Sequence, residues 1–127
     1  MPVTGIGIDM IEVERVTEKI SKENGFRELV FSEAEIKYCE TKTHKFEHYA
    51  ARFAAKEALF KALGTGWKNG TAFNEIEITP DDNGKPEINL LGETKKAINS
   101  SGAFKMSVSL THLKATAAAV VIIETLQ

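Results

Sequence analysis

Residues 117–123 read Ala117-Ala118-Ala119-Val120-Val121-Ile122-Ile123, seven positions without a polar side chain. In a β-strand, side chains alternate between two faces, so this run presents apolar groups on both and both need cover in a domain of this size. The cover is either a long helix plus a partner subunit, or helices on both faces within one chain. A bilayer span needs roughly 20 consecutive apolar residues, and the longest candidate, 115–123, is interrupted by Thr116. No membrane partner is expected.

At 127 residues the chain has the size of one domain, and two separate cores would each bury too little surface. A single domain over 1–127 is therefore expected. A composition of 43% hydrophobic and 27% charged residues lies outside the regime in which chains stay disordered. The net charge of −2 gives no global attraction to nucleic acid, so no nucleic-acid partner is expected and any anion site must be a local cluster. Cys39 is the single cysteine, and Met1-Pro2-Val3 opens the chain without a basic segment leading into a long apolar one. We expect a cytoplasmic protein with Cys39 in the packing rather than acting as a nucleophile.

Residues 3–8 are short, apolar and punctuated by Gly5 and Gly7, which suits a buried strand stopping at Asp9, the first charge. From Ile11 the spacing of Ile11, Val13, Val16 and Ile20 becomes helical until Asn24-Gly25. Residues 26–30 form a short turn of helix. Ser32 with Glu35 three positions on is a capping-box pattern opening a second helix to about Glu40. Residues 46–63 make the longest helix, ended by Gly64. Alternation over 73–79, turn chemistry at Asp81-Asp82-Asn83-Gly84 and residues 86–91 predict a hairpin. A short helix over 93–100 and strands over 105–111 and 115–124 complete an α+β chain, an antiparallel sheet packed on a long helix.

The sharpest chemical signal is Arg52-Phe53-Ala54-Ala55-Lys56-Glu57-Ala58-Leu59-Phe60-Lys61-Ala62-Leu63, where charges stand in an almost continuous apolar frame. At about 100° per residue, Ala50, Phe53, Ala54 and Phe60 lie within about 60° of Glu57. A carboxylate on an apolar face needs a partner. Lys61, one turn on, is one candidate; a metal ion is the other. Asp9 is either the N-cap of the following helix or part of a ligand site, because strand glycines let something approach the backbone closely. Two carboxylates, with water and phosphate oxygens completing the shell, are a usual way to hold Mg²⁺. Gly64-Thr65-Gly66 is a helix C-cap and turn, and no P-loop order is present. His112 ends a strand, either as a hydrogen-bonded turn residue or facing a cleft. His44 and His48 lie in a polar stretch and are expected to be solvated.

These blocks together resemble the small holo-acyl-carrier-protein synthases among the 4'-phosphopantetheinyl transferases. The resemblance rests on Gly5-Ile6-Gly7-Ile8-Asp9 with Ile11-Glu12, on Arg52-Phe53-Ala54-Ala55-Lys56-Glu57-Ala58 through Lys61-Ala62-Leu63-Gly64-Thr65-Gly66, on Ile76-Glu77-Ile78 with Asn83-Gly84-Lys85-Pro86, and on Ser107-Val108-Ser109-Leu110-Thr111-His112. It implies that a serine of apo acyl carrier protein attacks the β-phosphate of coenzyme A, takes phosphopantetheine and releases adenosine 3',5'-bisphosphate, in support of fatty acid biosynthesis. It implies Mg²⁺, with Mn²⁺ as an alternative, on Asp9 and Glu57. Glu57 or a metal-bound water would accept the serine proton, and Lys61 would stabilise the leaving phosphate. Lys61, Gly64, Thr65, His112 and Arg52 would line the coenzyme A site. It further implies a homotrimer with active sites between subunits and a first helix that receives the carrier protein through Arg15, Lys19 and Lys22, with Arg27 beside them. Leu113-Lys114-Ala115-Thr116 and Trp67 depart from the family pattern; Trp67 is expected in the packing. Two other readings use the same residues: a metal-dependent hydrolase of a nucleotide diphosphate, and a non-catalytic trimer in which Glu57 merely pairs with Lys61.

Overall fold

The sheet that anchors the molecule has strand order β1-β5-β4, with both pairings antiparallel. It is described here from a computed structural model covering residues 2–64, 66, 70–100 and 102–126. In chain order the elements are β1 (Val3–Glu12), α1 (Val13–Ser21), α2 (Phe26–Val30), α3 (Glu33–Glu40), α4 (Lys45–Leu63), a 3-10 turn (Phe73–Glu75), β2 (Ile76–Pro80), β3 (Pro86–Leu90), α5 (Gly92–Asn99), β4 (Phe104–His112) and β5 (Thr116–Thr125). β2 and β3 form a separate hairpin, whose turn is held by Asp81: its Oδ1 accepts from Asn83 N at 2.8 Å and Lys85 N at 2.9 Å. No described helix is long and apolar enough to cross a membrane.

β5 is central, and its two faces are treated differently. Ala117, Ala119, Val121 and Ile123 are buried toward α4, together with Ala54, Ala58 and Ala62 of that helix. On the opposite face, Ala118, Val120 and Ile122 are only partly covered. Their β1 neighbours Met10, Ile8 and Ile6 are 69%, 66% and 67% exposed. Of the two covers expected for the last strand, helices on both faces of one chain is therefore excluded among the described residues.

The close seat of α4 on β1 explains the two strand glycines. A Cβ added at Gly5 would lie 2.0 Å from the Ala62 carbonyl oxygen, and one at Gly7 would lie 2.0 Å from that of Ala58. What approaches the glycine backbone is thus the long helix, which corrects the expectation of a ligand there.

Three boundaries also differ from expectation. β1 continues through Asp9 to Glu12 because β5 pairs with it residue for residue, Asp9 opposite Ala119 and Glu12 opposite Thr116. α1 accordingly starts at Val13, its N-cap is Glu12, and the reading of Asp9 as a helix cap falls away. Residues 73–75 wind into a 3-10 turn instead of a strand, because the Lys56 ammonium gathers the carbonyls of Phe73 and Ile76.

That lysine belongs to a buried network. The capping box at Ser32 forms as expected, Ser32 N donating to Glu35 Oε1 at 2.9 Å and Glu35 N to Ser32 Oγ at 3.2 Å. Glu35 also accepts from Lys56 Nζ at 2.7 Å and, through Oε2, from Ile78 N at 3.0 Å. One carboxylate thereby ties α3, α4 and β2 together with no buried side-chain polar atom left unpaired among the described residues. Burial pushes the Lys56 ammonium pKa down, and Glu35 opposes that shift.

Candidate active site

Asp9 projects from the helix-facing side of β1, since its partner Ala119 is on the buried face of β5. α4 carries Glu57 and Lys61 past the same edge. Lys61 Nζ donates to Asp9 Oδ1 at 2.9 Å and to the Ile8 carbonyl at 3.1 Å. The lysine thus pairs across to the strand, and the reading in which it serves only as the i,i+4 partner of Glu57 is overturned. Glu57 is half-buried, and burial first, then the Asp9 charge, raise its carboxyl above the ordinary range; Lys61 pulls weakly the other way. Asp9 and Glu57 both line one cleft of about 310 Å³.

The two carboxylates are close enough to repel, yet of the two only Asp9 accepts a hydrogen bond from the nearby ammonium. A divalent cation between them would relieve both the desolvation and the repulsion, so the donor set fits Mg²⁺. No cluster of three or more histidine, cysteine or acidic side chains with metal-holding geometry occurs among the described residues. The rest of a coordination shell would fall to water and ligand oxygens.

The rim of the cleft comes from α1. Arg15 and Lys19 both line it, Phe26 and Phe53 form part of its apolar wall with ring centroids 6.3 Å apart, and Lys19 Nζ stands 5.5 Å over the Phe26 ring. Lys22 is exposed at the end of the same helix. Arg27 is instead committed to Glu28 at 2.7 Å and Glu40 at 3.3 Å, so it does not extend that basic row as expected.

Among the remaining expected residues, Gly64 caps α4 in the left-handed region at φ 76°, with its N–H on the Lys61 carbonyl at 3.1 Å. Thr65 and Trp67 lie outside the described residues. Arg52 points inward: it is 3% exposed, Nε donates to the Ile78 carbonyl at 3.0 Å, and the guanidinium stacks on Tyr38 at 4.4 Å. It does not line the Asp9–Glu57 cleft. His112 faces the helix side and its Nδ1 meets Glu47 Oε1 at 2.9 Å. Beside it, His48 is not solvated as expected; it is half-buried 4.9 Å from the His112 ring, and burial first, then the charges of His112 and Arg52, lower its pKa. His44 is exposed, as expected. Cys39 is fully buried and its thiol is pushed up to about 12, in keeping with a packing role.

Two features had not been read from the sequence. Glu47 gives no signal of its own among many acidic residues. The Glu35–Lys56 pair left one trace: a lysine inside the apolar frame of the long helix.

A family model described as the 4'-phosphopantetheinyl transferase superfamily matches residues 5–121. The chain is 49% identical over 122 residues to a holo-[acyl-carrier-protein] synthase of Ruminiclostridium cellulolyticum, covering 93% of this chain and 90% of that one. Its fold is similar to the holo-[acyl-carrier-protein] synthase of Neisseria meningitidis, with TM-score 0.88, 30% identity and 98% and 100% of the two chains covered. It is also similar to the enzyme of Bacillus anthracis, solved in complex with CoA (3',5'-ADP), with TM-score 0.78, 34% identity and 97% of each chain covered. Taken with a carboxylate pair and a lysine gathered where β1 meets α4, these likenesses place the chain in the holo-[acyl-carrier-protein] synthase family of the 4'-phosphopantetheinyl transferases.

Proposed function

We propose that the chain transfers 4'-phosphopantetheine from coenzyme A to a serine of apo acyl carrier protein, in the cytoplasm and in support of fatty acid biosynthesis. The observation that carries the site assignment is the convergence of Asp9 and Glu57 on one cleft, with Lys61 bonded to Asp9 at 2.9 Å. Asp9 and Glu57 would hold Mg²⁺, which when bound supplies charge neutralisation along the pyrophosphate. The serine oxygen forms a bond to the β-phosphorus as the bond to the bridging oxygen breaks, and adenosine 3',5'-bisphosphate leaves with that oxygen. Glu57, whose carboxyl is raised by burial and by Asp9, is suited to take the serine proton. Lys61 uses two of its three donors on Asp9 and Ile8, so one N–H is available to the departing phosphate. Gly64, Thr65 and His112 would contact coenzyme A, with Arg52 acting from behind His48, whose carbonyl accepts from it at 3.4 Å.

Arg15, Lys19 and Lys22 would receive the acidic carrier protein beside the cleft. Three copies of the chain would assemble through the apolar outer face of β1 and β5, a reading supported by the exposure of Ile6, Ile8 and Met10. The test mixes the protein with apo carrier protein, coenzyme A and Mg²⁺ and follows the carrier by mass spectrometry. One phosphopantetheine should be gained, and a chelator should stop the gain. No gain with any divalent cation refutes the reading, and coenzyme A cleavage without the carrier would make the protein a hydrolase.

A further inference from the structure

At the first turn of α4, Glu47 reaches the last residue of β4, its Oε1 lying 2.9 Å from His112 Nδ1. Both side chains are largely covered, at 16% and 31% exposure. The second carboxylate oxygen lies 3.9 Å from Nδ1 of the exposed His44. A carboxylate only accepts, so the shared proton resides on His112 Nδ1. His48 closes one flank of the His112 ring, and Tyr38 stands edge-on to His48 at 6.0 Å. Held at Nδ1 and along one flank, the imidazole has Nε2 left over, without a protein partner among the described residues. Glu47 stands ten residues before Glu57, which places it about 15 Å away along the helix. The pair is therefore separate from the carboxylate centre.

We propose that Glu47 is a positioning residue that fixes His112 with Nδ1 protonated and so presents Nε2 to a phosphate oxygen of coenzyme A. The identity of the ligand rests on the transferase reading; the positioning does not. Nε2 bonds the phosphate oxygen by sharing one proton, taken from water or brought by the monoprotonated phosphate itself. Glu47 itself touches no substrate.

Histidine ring nitrogens labelled with ¹⁵N report the tautomer directly, with signals assigned by replacing each of the three histidines in turn. In the wild type His112 should carry its proton on Nδ1, and Glu47→Ala should move it to Nε2 or to a mixture. An unchanged tautomer overturns the positioning, whatever the activity. Adding coenzyme A should shift the His112 Nε2 signal, and an unmoved signal overturns the ligand assignment even if no turnover is seen. In steady state, Glu47→Gln, nearly isosteric and checked for an unchanged melting temperature, should raise KM for coenzyme A roughly tenfold, the scale of one charge-assisted hydrogen bond. kcat should stay within about twofold, because the interaction is uniform binding and not transition-state stabilisation. Combining it with His112→Gln should add nothing further. A rise confined to coenzyme A names its 3'-phosphate, an equal rise with 3'-dephospho-coenzyme A names the pyrophosphate, and no rise with either overturns the proposal. Wild-type protein that fails to load carrier protein refutes the transferase reading while leaving the tautomer result to stand or fall alone.

Discussion

Replacing Gly7 by alanine tests whether the strand glycines exist for the helix or for a ligand. The new Cβ would lie 2.0 Å from the Ala58 carbonyl oxygen and 2.7 Å from Ala62 N. Real Cβ contacts essentially never fall under 3.0 Å, so β1 and α4 must separate by at least 1.0 Å at this point. Both obstructing atoms are backbone in the middle of α4, so no side chain can rotate away. Overpacking ordinarily costs about 1–3 kcal/mol, and this site belongs at the upper end. Lower entropy of the unfolded chain returns about 0.4–1 kcal/mol. The net expectation is a loss of about 2 kcal/mol, a fall of roughly 1 M in the urea midpoint for a slope near 2 kcal/mol/M. Unfolding should be followed by circular dichroism at two protein concentrations, which separates folding from assembly. Gly84→Ala serves as a control: its Cβ would meet nothing within 4 Å, but φ is +84°, so it should show only the conformational cost of about 1–2 kcal/mol. A Gly7→Ala protein of unchanged stability that loses only coenzyme A affinity would refute the helix-contact explanation.

Lys56→Met should cost about 3–5 kcal/mol, because it strands the buried Glu35 carboxylate. Lys61→Met should cost under about 1 kcal/mol, its pair with Asp9 being solvated; comparable losses for both in urea titrations would contradict the burial argument. For His48, the lowered pKa means that the folded state binds fewer protons than the unfolded one. Its contribution to stability is therefore intact above the ordinary histidine value of about 6.5 and is lost as pH falls from there through the folded value. His48→Gln should flatten the stability profile below about pH 6.5, and an unaltered slope would remove His48 as its cause. Cys39, buried with its thiol pushed up to about 12, should resist a thiol reagent at mildly alkaline pH until denaturant is added; prompt reaction of the native protein would refute that. Ile8→Lys places a charge on the apolar outer face and should turn a wild-type oligomer into monomers in sedimentation equilibrium; a monomeric wild type, or a variant that still assembles, would refute assembly through that face.

How far the sequence revealed the fold depended on whether the deciding interaction was local. The capping box at Ser32, the left-handed Gly64 and the Asp81 turn use partners within a few residues, and each was legible. The end of β1 was not, because its ladder partner Thr116 is 104 positions away, as follows from the pairing of Glu12 with Thr116. The 3-10 turn before β2 depends on a lysine from α4, and alternation alone cannot show that. At the site, Asp9, Glu57 and Lys61 were singled out from their residue types and frame, but the pairing of Lys61 with the strand depends on how closely the helix docks. Arg52 and Lys56 carry the same charge in the same motif as Lys61, and nothing local distinguishes cations that turn inward from one that turns toward a cleft.

That distinction follows from the helical repeat of α4. Positions 52 and 56 lie about 40° apart on one stripe, and both side chains end on β2 or its approach, at the carbonyls of Ile78 and of Phe73 and Ile76. Positions 57 and 61 form a second stripe about 140° round, toward Asp9. Ala58 and Ala62 are the next residues in each case, and it is over their backbone that Gly7 and Gly5 lie. The glycine–alanine contact therefore sets how near Asp9 comes to the second stripe, and the 2.9 Å bond from Lys61 to Asp9 exists because no Cβ holds the strand away. It follows that Gly7→Ala should weaken divalent-cation binding as well as stability, although Gly7 has no side chain to offer a ligand. A variant that lost stability yet kept full cation affinity would show that the carboxylates adjust independently of the β1–α4 spacing.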